Sequence, residues 1–154
     1  MRKTLFLLLT VVALAACGGS NRHSEAEALL QKATEATEQG NYRRALLLID
    51  SLRHAYPDAV DARKQALRLH QEASLKEAQA DLATTDSALQ AVKQEYERQQ
   101  RTVDAHKQAG NATAEELTKL TRTRMLRDSL QVRFDVGCAK IKYIHKRQKE
   151  LTDE

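Results

Sequence analysis

From Asp58 to about Ala109 the chain has no proline and no glycine, and Ala, Leu, Gln, Glu, Lys and Arg, all good helix formers, dominate it. In the second part of this stretch apolar or small residues stand alternately three and four apart: Leu75, Ala78, Leu82, Thr85, Leu89, Val92, Tyr96, Gln99 and Val103. That spacing predicts a long helix with a heptad seam, interrupted by polar Thr85 and Gln99. A helix with one apolar stripe must bury it against something. The candidates are the elements on either side.

Upstream, Ser24 and Glu27 have the spacing of a capping box, and Ala26, Leu29, Leu30, Ala33 and Ala36 follow as a helical stripe. Gly40 suits the positive φ that ends such a helix, and Asn41 is placed to cap a second one. The inward face of that second helix would be Tyr42, Ala45, Leu46, Ile49 and Leu52, and Pro57 stops it. Downstream, Ala109-Gly110-Asn111 signals a turn, and Thr113 with Glu116 makes another capping box. A helix to about Glu150 follows, with Leu117, Leu120, Leu126, Leu130, Phe134, Ile141, Ile144 and Leu151 as its apolar members.

A turn at Gly110 predicts specific partners across an antiparallel hairpin. Val103 should face Leu120, Tyr96 Leu126, Val92 Leu130, Leu89 Phe134, Leu82 Ile141 and Ala78 Ile144. Gly137 weakens the returning helix by about 1 kcal/mol relative to alanine, and would allow close packing against Thr85. The polar positions Thr85, Gln99 and His106 in the seam suggest that a homodimer or another protein completes the burial.

Ala26, Gly40, Tyr42, Ala45 and Pro57 stand at tetratricopeptide spacing, and the segment from about Ala26 to Pro57 resembles one such unit. Leu29 stands where that family usually has tryptophan and Ala36 where it usually has tyrosine, and no second repeat follows. About three stacked units are needed for the family's stable grooved arrays. The resemblance therefore implies a structural helical pair, capped by the start of the long helix through Val60, Ala66 and Leu67. The expected fold is all-α: a tetratricopeptide-like helical pair (24–57) packed on the start of a long antiparallel coiled-coil helical hairpin (58–151, with helices 58–109 and 113–150).

The N-terminal stretch has a different character. Arg2 and Lys3 precede an apolar run from Leu5 to Leu14, which as a helix covers roughly 15 Å, half of a bilayer core. Residues 1–16 therefore read as a secretory signal rather than a membrane span. Leu14-Ala15-Ala16-Cys17 resembles the lipobox of bacterial lipoproteins. The resemblance implies cleavage before Cys17, a diacylglycerol on its sulfur and an acyl chain on its amine. Residues 17–23, with Gly18-Gly19-Ser20-Asn21, would form a flexible tether. Gly18 rather than aspartate follows the cysteine; among lipoproteins of two-membrane bacteria this implies the periplasmic face of the outer membrane.

Composition narrows the remaining possibilities. With 154 residues, 4% aromatics and 30% charged side chains, the chain suits thin helical seams better than a deep globular core. Of 25 basic residues two lie in the signal, which leaves 23 against 21 acidic ones and argues against nucleic-acid binding. His23, His54, His70, His106 and His145 lack metal-ligand spacing, so no metal, catalytic centre or dissociable cofactor is expected. Asp50-Ser51-Leu52 and Asp128-Ser129-Leu130 lack the glycine and strand of a hydrolase nucleophile. Two roles are open to Cys138: a small apolar residue beside the seam, or an intermolecular disulfide.

One surface cluster stands out. Lys140, Lys142, Lys146, Arg147 and Lys149 lie in the last helix, and Arg63, Lys64, Arg68 and Lys76 should neighbour them at the hairpin base. Such a patch suits anionic lipid or cell-wall polymer. The leading expectation is a lipid-anchored envelope scaffold or accessory subunit that acts through its hairpin without catalysis. A polymer- or lipid-binding module is the alternative. An enzyme is the third, and would need a converging polar pocket.

Overall fold

The computed structural model describes residues 21–152, with side chains through Glu150. All regular structure among them is α-helical. Helix α1 occupies residues 21–38, α2 runs Tyr42–Ala55, α3 Val60–Gln108 and α4 Ala114–Thr152. The chain divides between Glu77 and Ala78 into two compact units, with α3 contributing to both. The expected signal (1–16), Cys17 and the glycines after it, the side chain of Leu151, and Asp153 and Glu154 lie outside the described residues.

In the first unit, α1 and α2 form a helical pair joined at Gly40. Its φ of 75° is open to glycine without a Cβ clash. The Asn41 amide donates to the Ala36 carbonyl (2.8 Å) and the Gly40 amide to that of Thr37 (3.1 Å), the paired bonds of a Schellman ending. Asn41 occupies the N-cap of α2, but its side chain makes no cap hydrogen bond.

The core of this unit is built on alanine. Ala26, Ala33, Ala59, Ala62 and Ala66 are buried around Ile49 and Leu52, with Leu29, Leu30, Leu48, Tyr56 and Leu69 packed against them. Alanine lets helix backbones approach closely, so two large aliphatic side chains fill most of the centre. The faces expected for α1 and α2 are the ones buried.

Two expectations fail here. Ser24 does not begin α1, because residues 21–23 are already helical and shorten the expected tether. The earlier turn is held by Arg22, which donates to the Ala55 carbonyl (3.2 Å), and by Glu25, which accepts from the Tyr56 hydroxyl (2.9 Å). Of the expected capping residues Ala66 is buried, but Val60 and Leu67 are exposed, and Ala59, Ala62 and Ala73 are buried in their place. The buried stripe starts at Ala59, just before α3, and Val60 and Leu67 each stand one residue off it.

The second unit is an antiparallel hairpin of α3 and α4. Gly110 has a φ of 71°. The Asn111 amide reaches the His106 carbonyl (2.9 Å) and the Gly110 amide that of Lys107 (3.1 Å), a second Schellman ending. Thr113 and Glu116 form the expected capping box. The Thr113 amide donates to Glu116 Oε2 (2.9 Å) and the Glu116 amide to Thr113 Oγ1 (3.2 Å).

These bonds hold the Glu116 carboxyl below the ordinary glutamate value of 4.5, with the Thr113 amide the largest cause. A lowered folded pKa makes this carboxylate stabilising above pH about 4.5 and progressively less so as pH falls through the folded value. In Glu116→Gln, that part of the acid-induced loss of hairpin stability should disappear, as thermal melts from pH 7 to pH 3 will measure.

Across the hairpin, contacting pairs have residue numbers totalling 222 or 223: His106 with Glu116, Gln99 with Thr123 and Tyr96 with Arg127. In this register α3 buries or half-buries Ala78, Leu82, Thr85, Leu89, Val92, Tyr96, Gln99 and Val103, the predicted seam. The α4 stripe is Glu116, Leu120, Thr123, Arg127, Leu130, Phe134, Gly137, Ile141, Ile144 and Gln148, again three and four apart.

This corrects the expected partners of Tyr96 and the place of two leucines. Leu117 and Leu126 are exposed, one residue off the stripe. Tyr96 instead carries the Arg127 guanidinium 4.4 Å from its ring centroid, a cation–π contact. The space beside Gly137 is taken by Leu82, whose Cδ1 would lie 3.0 Å from an added Cβ, rather than by Thr85.

Candidate interaction surfaces

The polar seam positions are satisfied inside the hairpin. Thr85 Oγ1 donates to the Asp81 carbonyl (2.8 Å), and Gln99 Oε1 accepts from Thr123 Oγ1 (2.9 Å). His106 Nδ1 lies 2.7 Å from Glu116 Oε1. Among the described residues no buried side-chain nitrogen or oxygen lacks a hydrogen-bond partner. The expected reason for a partner, an incomplete polar seam, is therefore absent.

The basic residues fall in separate units. In the first, Arg63, Lys64 and Arg68 are exposed on α3, and Arg63 Nη1 is tied to the Pro57 carbonyl (2.8 Å). In the second, Lys140, Lys142, Lys146, Arg147 and Lys149 are exposed on α4. Lys142, Lys146 and Lys149 share a face by their spacing. Arg147 pairs with Glu150 at 2.7 Å, and Lys140 and Lys149 have interactions of their own. Glu150 thus neutralises part of the cluster.

Groups that could carry chemistry are scattered. No cluster of three or more His, Cys, Asp or Glu side chains suited to a metal occurs among the described residues. Ser51 donates its hydroxyl to the Leu47 carbonyl (2.9 Å) of its own helix, while Leu52 is core. Asp128 is paired with Arg127 (2.6 Å), and Ser129 is exposed. Cys138 is a half-buried free thiol beside the seam. No helix of the described residues is long and apolar enough to cross a membrane.

A second stripe on α4 escaped the sequence reading. Met125, Val132, Val136 and Tyr143 are 65%, 62%, 62% and 64% exposed. With Ser129 and Ala139, also exposed, they stand alternately four and three apart. The pattern was present in the sequence, but the buried stripe accounts for most of the leucines and isoleucines and so masks it. A shallow open groove lined by Leu82, Val132, Val136 and Gly137 borders this face.

No protein-family model matches the chain, and neither does any curated protein or solved structure.

Proposed function

We propose that this protein is a lipid-anchored scaffold or accessory subunit of the cell envelope, held through acyl chains on Cys17 and acting through its helical hairpin. The observation that carries the interaction role is the apolar, heptad-spaced outer face of α4, with four large side chains in solvent. Contiguous exposed apolar stripes mark interaction sites. The lipobox Leu14-Ala15-Ala16-Cys17 supports the anchor, and Gly18 supports the periplasmic face of the outer membrane. Each buried methylene contributes about 0.8 kcal/mol to membrane attachment, so several chains hold a small protein firmly.

Radiolabelled palmitate and membrane fractionation test the anchor. The wild-type chain should incorporate label and sediment with membranes, and Cys17→Ser should do neither. A Cys17→Ser chain that stays membrane-bound contradicts the lipid anchor. A photo-crosslinker at Val136 tests the interaction role; absence of any adduct in the native envelope contradicts it.

A second reading has its own support in the basic face of α4 formed by Lys142, Lys146 and Lys149. With Lys140 and Arg147 on the same helix, it suits cell-wall polymer or anionic lipid. Salt-sensitive retention on isolated sacculi would favour this module; no retention would favour the scaffold.

A further inference from the structure

We infer that the outer stripe of α4 is the interface for a second copy of this chain, the two α4 helices pairing parallel and in register. The inference rests on the reading of the hairpin as an interaction arm, and not on the lipid anchor.

The stripe has the geometry of a coiled-coil seam. Met125, Ser129, Val132, Val136, Ala139 and Tyr143 alternate four and three residues apart. At 3.6 residues per turn this line lies roughly 160° around α4 from the stripe packed on α3. It extends over ~27 Å at 1.5 Å per residue. An isolated helix would have to be ordered as it paired. Helix α4 is already ordered by its packing on α3, so a second α4 meets a formed surface. Val132 and Val136 lie mid-seam, flanked by the small Ser129 and Ala139 and then by the large Met125 and Tyr143.

Charge beside the stripe selects the occupant and its direction. In a parallel pair, residues flanking the seam five apart meet across it. Asp128 would then meet Arg133 of the second copy, and Asp135 its Lys140, each twice by symmetry. Asp128 accepts both Arg127 bonds on Oδ1, so Oδ2 is not used by that pair. Lys142 opposite Arg147 is the one unfavourable combination, and Arg147 already engages Glu150. The antiparallel alternative would match Asp128 with Lys142, but it would place Asp135 against Asp135 and Arg133 against Arg133 at its centre. Parallel pairing gives the better balance. Like charges facing each other disfavour the other arrangement.

The test is Ser129→Cys in a full chain that also carries Cys138→Ala, with Cys138→Ala alone as the control. Parallel pairing puts the two Ser129 positions in one layer. Mild oxidation should then yield a covalent dimer that the control does not form. Sedimentation at about 100 µM should show a dimer. Val132→Asp with Val136→Asp should abolish both without changing helicity, since both side chains are in solvent in the single chain.

A chain that is monomeric at that concentration and does not crosslink overturns the inference. Crosslinking only between Ser129→Cys and Ala139→Cys chains overturns the parallel register. Capture of a different protein alone at this face overturns the second copy as occupant while leaving the interaction arm standing; no adduct of any kind sinks both. Running the oxidation on the Cys17→Ser chain as well separates the dimer from the anchor.

Discussion

Replacing Leu89 with alanine is expected to destabilise the hairpin by about 2–3 kcal/mol, read as a lower urea midpoint with an unchanged slope. Leu89 is 2% exposed and belongs to the largest fully buried side chains of the structure. Truncation removes its apolar burial and leaves a void in the seam. A two-helix seam is open at its sides, and neighbours such as Leu82 and Val92 are only half-buried. They can move toward the gap, which keeps the expected loss at the lower end for Leu→Ala. Met125→Ala on the outer stripe is the matched control. At 65% exposure it should change monomer stability by less than about 0.5 kcal/mol.

Ile49→Ala is expected to cost more, about 3–4 kcal/mol, in the helical pair. Ile49 is fully buried among Ala26, Ala33, Ala59, Ala62 and Ala66. These alanines have no side-chain atoms that could swing into a void, so only Leu52 and the leucines at the edge of the cluster can relax toward it, and most of the cavity would persist. The measurement is loss of helical circular dichroism on heating, compared with Leu47→Ala on the exposed face of α2. A loss equal to that of Leu47→Ala would mean that Ile49 is not at the centre of this unit.

How much of this could be read beforehand depended on whether position or residue type carried the information. Gly40 and Gly110 were legible because a positive φ has few solutions in L-amino acids. The Thr113–Glu116 box was legible because its spacing is its mechanism. Ser24 and Glu27 share that spacing, yet α1 is already helical at residue 21, tied by Arg22 to the end of α2. Such a contact is long-range in sequence, and nothing near Ser24 announces it.

The errors in the seam came from choosing leucines over spacing. A strict three-and-four count from Leu130 passes through Arg127 and Thr123, which look like surface residues. Tyr96 and Gln99 turn them into seam partners by a cation–π contact and a hydrogen bond. Leu126 and Leu117 then fall outside, as Val60 and Leu67 do on α3. The basic cluster was legible as composition only, since the pairing of Arg147 with Glu150 and of Arg63 with Pro57 depends on geometry. The outer stripe was hidden for a related reason: a helix apolar on two opposite sides shows little net asymmetry.

A single covalent probe bears most directly on the folded-back register. Gln99 and Thr123 already touch through their side chains, at 2.9 Å. In a chain carrying Gln99→Cys and Thr123→Cys, with Cys17→Ser and Cys138→Ala, a short thiol-reactive bifunctional crosslinker at high dilution should join the two sites within a monomer that keeps its helicity. A shifted pair, Gln99→Cys with Leu130→Cys, should stay unlinked. Closure of the shifted pair instead, or linkage only between separate chains, would contradict a hairpin turning at Gly110.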